Sequence, residues 1–94
     1  MSHTSFTAFI DMKKQDVILG RQVRAARALL NWSQQMLADE ASLSITPITR
    51  LENEMVDSRG STIVLVRQAL ERAGITFVNE KNQVGVILTV AEEE

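Results

Sequence analysis

The chain contains no cysteine, one histidine, one proline and one tryptophan. Without cysteine there can be no disulfide, no thiolate metal site and no thiol nucleophile. The lone histidine, His3, lies close to the N-terminus and is expected to be inert rather than a ligand. No glycine-rich phosphate loop is present. The carboxylate pairs Asp39–Glu40 and Glu52–Glu54 lack metal-type spacing and read as solvated helix charges. No catalytic residue, metal or cofactor is therefore expected. The apolar runs are too short to span a membrane, and the first residues lack the basic-then-apolar pattern of a secretion signal. A cytoplasmic protein with no membrane partner is the expectation.

What is present fits one small domain. Ninety-four residues, 45% of them apolar, can build a modest core with little stability to spare. The net charge of −2 argues mildly against a nucleic-acid partner. Its distribution matters more than its sum. Residues 19–73 hold seven basic side chains (Arg21, Arg24, Arg27, Arg50, Arg59, Arg67, Arg72) against six acidic ones (Asp39, Glu40, Glu52, Glu54, Asp57, Glu71), a net of +1. The excess acid lies outside, mainly in Glu92, Glu93 and Glu94.

The chain reads as a succession of short elements. Phe6, Ala8, Phe9 and Ile10 stand among Ser and Thr and suggest a strand of imperfect alternation. Asp16 is a plausible N-cap for a first helix running to about Leu30, with Val23, Ala26, Leu29 and Leu30 on one apolar face. Asn31 suits a left-handed C-terminal cap. Ser33 can cap a second helix, with Trp32 and Leu37 as a hydrophobic staple. Leu37, Ala38 and Ala41 should face inward, Ala38 leaving room for a close helix crossing. Ser44 is the preferred cap of a third helix, which places Pro47 in the first turn, where its missing N–H costs no helical bond. In a competing register Thr46 is the cap and Pro47 the first helical residue. Ser61 or Thr62 can cap a fourth helix that runs to Ala73 and stops at Gly74. One face of that helix cannot hide all of Ile63, Val64, Leu65 and Val66. Beyond it, residues 75–79 and 84–90 are β-branched and apolar around a turn-like Glu80–Lys81–Asn82–Gln83, which predicts a hairpin.

Residues 33–52, SQQMLADEASLSITPITRLE, thus place two short helices around a tight connection at Ser42, Leu43 and Ser44. Such a pair can present its second helix to the DNA major groove. The run Arg27-Ala-Leu-Leu-Asn-Trp-Ser-Gln34, then Leu37-Ala38, Ile48 and Leu51-Glu52-Asn53, resembles the XRE-type helix-turn-helix family of phage repressor and Cro-like DNA-binding domains. The likeness covers roughly residues 19–73. Small bacterial regulators with an RAARALLNWSQ-like first helix and an ALERAGITF-like end look similar as far as Leu88. Two departures stand out: Ser42 occupies a turn position where the family usually has Gly, and Pro47 lies inside the third helix.

The fold class expected is mainly α, a four- to five-helix repressor-like helix-turn-helix domain with a C-terminal β-hairpin, which the N-terminal strand has room to join. The organisation expected is an N-terminal arm (1–15), a DNA-binding domain (16–74), a hairpin serving as a dimerisation element (75–90) and an acidic tail (91–94). On the third helix, Ile45, Thr46, Thr49 and Arg50 should be exposed and read base edges, Arg50 by two bonds to a guanine. Gln34 at the start of the second helix, Arg59 in the loop, and Ser61 or Thr62 at the next helix start are phosphate candidates. Arg21 and Arg24 read as solvated. The resemblance implies that Arg27 and Glu52 form a partly buried structural ion pair between the first and third helices. The partners expected are double-stranded DNA and a second copy of the chain. The function expected is a sequence-specific transcriptional regulator, most simply a repressor on a palindromic operator. An antitoxin-like autoregulator that also binds a toxin, or a protein-interaction module on the same scaffold, is the alternative.

Overall fold

The start of the first described helix is set by a close backbone crossing. In the computed structural model, which describes residues 18–54 and 60–91, helix α1 spans Gly20–Leu30. A Cβ on Gly20 would lie 2.1 Å from the carbonyl oxygen of Leu51, so only glycine lets this end of α1 meet the following helices. The helix therefore starts four residues after the expected Asp16 cap. Leu19 is the extended N-cap residue, and its N–H donates to Gln22 Oε1 at 2.9 Å. Asp16 itself, the expected N-terminal strand, His3, Arg59 and the terminal glutamates lie outside the described residues.

Val23 and Ala26 are fully buried and Leu30 is half-buried, but Leu29 is 48% exposed. The apolar stripe of α1 is thus narrower than its spacing predicts, because Leu29 lies on the outer side of the last turn. Asn31 adopts φ 60°, ψ 40° and closes the helix, and its N–H donates to the Ala28 carbonyl at 3.2 Å.

Helix α2 (Gln34–Ala41) begins where Ser33 Oγ accepts the Met36 N–H at 3.0 Å. Leu37, Ala38 and Ala41 are buried, and Trp32 packs on the same core. The helix ends at Ser42 in the left-handed region (φ 61°, ψ 41°). After Leu43, Ser44 is the extended N-cap residue of α3 (Ile45–Glu52), although its hydroxyl makes no capping bond. Pro47 is then the third helical residue, and the competing register that begins at Thr46 does not occur. Ile48, Leu51 and Glu52 turn inward.

Helix α4 spans Gly60–Arg72. Ser61 and Thr62, expected as caps, are instead its second and third residues. Val66, Ala69 and Leu70 are buried against α2, while Val64 and Leu65 stay 45% and 37% exposed. Arg72 donates to the Glu40 carbonyl at 3.0 Å, giving the C-terminal end of α2 a cationic partner. Gly74 (φ +106°) turns the chain into the sheet.

Strands β1 (Ile75–Asn79) and β2 (Val84–Leu88) pair antiparallel, Ile75 opposite Leu88 and Asn79 opposite Val84. The Glu80–Gln83 turn closes the hairpin with bonds of 2.8 and 3.4 Å. Ile75 enters the helical core, and α1 packs against β2. The described residues therefore form four helices and a small two-stranded hairpin. None of the described helices is long and apolar enough to cross a membrane.

Candidate nucleic-acid interface

The geometry between α1, α2 and α3 is fixed by one carboxylate. Glu52 is 1% exposed. A buried carboxylate is costly unless every oxygen is engaged. Arg27 donates from Nε to Glu52 Oε2 at 2.6 Å and from Nη2 to Oε1 at 2.9 Å, the two-pronged match of a planar guanidinium to a carboxylate. Gln34 Nε2 adds a third bond to Oε1 at 2.9 Å. The remaining Arg27 nitrogen donates to the Trp32 carbonyl at 2.9 Å, tying α1 to the connection before α2. The hydrogen bonds to Glu52, opposed by burial and helped by its charge, raise the Arg27 pKa above its ordinary value. A raised basic pKa contributes stability that is complete below the unfolded value and is lost only as pH climbs through the higher folded one. For an arginine that window lies far above neutrality, so the Arg27 guanidinium stays charged at neutral pH.

Gln34 also accepts from the Thr49 hydroxyl at 3.1 Å. A continuous chain, Arg27–Glu52–Gln34–Thr49, thus runs from α1 to the middle of α3. Two expectations change as a result. Thr49 is half-buried with its hydroxyl proton committed, rather than standing on the open face. The Gln34 amide faces Glu52 and Thr49, so what remains at the start of α2 for an anion is backbone: the N–H groups of Gln34 and Gln35, which lie outside the helical ladder. Arg24, read from sequence as solvated, donates to the Glu52 carbonyl at the end of α3.

The outer face of α3 is left with Ile45 (39% exposed), Thr46 and Arg50. Ile48 and Leu51, on the opposite side, anchor the helix in the core. Ile45 and Thr46 occupy the first turn and Arg50 the last. Ser61 and Thr62 are the second and third residues of α4, Ser61 exposed and Thr62 half-buried. Arg59 falls outside the described residues.

One residue with no role in the sequence reading proves central. Gln22, 2% exposed, donates from Nε2 to the carbonyls of Val78 (3.2 Å) and Gly85 (2.9 Å) and to Asn79 Oδ1 (3.2 Å). Asn79 Nδ2 returns a bond to Gln22 Oε1 at 3.1 Å. These contacts pin the hairpin to α1. A glutamine at the third helical position can reach back to the N-cap, and that much is local. The hairpin contacts lie more than fifty residues away in sequence and leave no local signal.

The chain matches no protein-family model and no curated protein sequence.

Proposed function

We propose that the chain is a sequence-specific DNA-binding transcriptional regulator of the repressor-like helix-turn-helix kind, with α3 as the reading helix. The observation that carries this reading is the seating of α3. Its inner side is locked by Ile48, Leu51 and the Glu52 network, and its outer side offers Ile45, Thr46 and Arg50 to a groove. A helix held this rigidly at a short turn is what major-groove reading requires. Arg50 pairs with guanine O6 and N7, Thr46 bonds a base or phosphate, and Ile45 meets a thymine methyl. The start of α2 at Gln34 holds a phosphate through its backbone N–H groups, and Ser61 or Thr62 near the beginning of α4 holds another. Two copies bind half-sites about 34 Å apart and block a promoter.

Selection from a random DNA pool tests this. Enrichment of a palindrome is the expected outcome, with Arg50→Ala relaxing one position per half-site at a cost of about 1–3 kcal/mol. The exposed Ile45 favours a second reading, a protein-interaction module or an antitoxin-like partner of a toxin. No enrichment at low salt, and indifference of DNA binding to Arg50→Ala, would select that reading instead.

A further inference from the structure

The hairpin has an edge with no neighbouring strand among the described residues. The Glu80–Gln83 and Gly74–Thr89 bonds set the phase of the β1–β2 ladder. In an antiparallel pair, hydrogen-bonded residues alternate with residues whose polar groups point away. Val78 and Thr76 therefore bond toward β2, while the N–H and C=O groups of Ile75, Phe77 and Asn79 point outward. Among the described residues these outward groups have no backbone partner; Phe77 and Asn79 are half-buried, while Ile75 is reached only where it lines the groove beside the edge. Alongside that edge lies a groove of about 470 Å³, walled by Arg67 and Glu71 of α4 and floored by Phe77.

We propose that this edge is a pairing surface for β1 of a second copy, antiparallel about a two-fold axis at Phe77. The proposal rests on the dimeric part of the reading above and not on DNA binding. The sequence of β1, ITFVN, carries no charge and is rich in β-branched and aromatic residues. Two-fold pairing sets Phe77 opposite the partner's Phe77, Ile75 opposite the partner's Asn79 and Thr76 opposite the partner's Val78. No like charges are opposed. In the groove Arg67 Nε meets Glu71 Oε2 at 2.9 Å, and the remaining charged lining residue, Glu80, lies at the turn end, next to Lys81 in sequence. Two hairpins, each marginal alone, become one four-stranded sheet. An isologous contact of this kind closes, so it leaves no β1 edge free for further copies.

The register makes the test specific. Thr76 and the partner's Val78 form a non-hydrogen-bonded pair, whose side chains stand closest. The chain has no cysteine of its own. Chains carrying Thr76→Cys, mixed with chains carrying Val78→Cys, should form a disulfide-linked dimer under mild oxidation, while either chain alone should not. In sedimentation equilibrium without DNA, Thr76→Lys with Val78→Lys should weaken self-association by about tenfold. Mixing with Thr76→Glu, Val78→Glu chains should restore it. Circular dichroism of each variant checks that the helices persist. A monomeric natural chain at high micromolar concentration, or Thr76→Cys chains that link to themselves as readily as to Val78→Cys chains, overturns the proposal. Because no DNA is present, those results leave the α3 reading untouched. Failure of the DNA selection likewise leaves the strand pairing standing.

Discussion

Gly20 and the Arg27–Glu52 pair act at the same helix crossing, by different physics. At Gly20 the constraint is volume. An added Cβ meets the Leu51 carbonyl at 2.1 Å and the Glu52 Cα at 3.0 Å, and both are backbone that cannot swing aside. Gly20→Ala should therefore destabilise by about 1–3 kcal/mol, despite alanine's better helix propensity. Urea unfolding measures this, and a neutral or stabilising result would mean that α1 can shift away from α3 at little cost. At the ion pair the constraint is charge. Glu52 is buried and accepts from Arg27 and Gln34, so removing Arg27 strands it. Arg27→Met and Glu52→Gln should each cost about 3–5 kcal/mol, while the double variant loses less than the sum. Additive losses in that cycle would show that the two side chains do not act as a unit. A residue that only touched DNA would leave stability unchanged, which separates the structural role of Arg27 from a phosphate contact.

The turn between α2 and α3 carries a cost that its sequence makes visible. Ser42 sits at φ 61°, a region in which an L side chain crowds the following carbonyl. Ser42→Gly should stabilise by up to about 1 kcal/mol, the relief of crowding being partly offset by glycine's larger entropy loss on folding. Thermal melts should show a rise of several degrees, about 4–8 °C per kcal/mol for a domain of this size. A fall would mean that the serine hydroxyl contributes something its geometry does not reveal. The same elements indicate what local sequence can specify. Ser33 caps with its own hydroxyl and Asn31 is a residue type that tolerates the left-handed backbone, so these helix ends were legible. The switch to β-branched runs around Glu80–Gln83 made the hairpin legible too. The start of α1 was not, because Gly20 is placed by the remote Leu51 carbonyl and not by a cap. For the same reason the exposed face of α3 was legible at Ile45, Thr46 and Arg50 but not at Thr49, whose hydroxyl is taken by Gln34 from another helix. Gln22 marks the limit: its helical position is local, but its partners in β1 and β2 are known only once the chain has folded.

At the scale of the whole molecule, electrostatics and apolar pairing are separable by salt. The net charge of −2 gives no general attraction to a polyanion, so the DNA binding proposed above has to come from a few placed cations and helix starts. Arg50 on α3 and the N-terminal turns of α2 and α4 are such features. Each phosphate neutralised by a cationic side chain releases counterions and contributes about −0.9 to the slope of log affinity against log salt. The pairing proposed at the β1 edge, in contrast, joins neutral strands through backbone bonds and apolar contacts, which salt screens little. Two measurements on the same chain should therefore diverge as salt is raised. Fluorescence anisotropy with a selected DNA duplex should show affinity falling. Sedimentation without DNA should show self-association nearly constant. Arg50→Ala should lower affinity mainly for the selected sequence, and Thr76→Lys with Val78→Lys should lower self-association in the absence of DNA. A DNA affinity insensitive to salt would count against phosphate contact by any of these groups. A self-association that collapses with salt would mean that charged side chains, and not the neutral strand edge, hold two copies together.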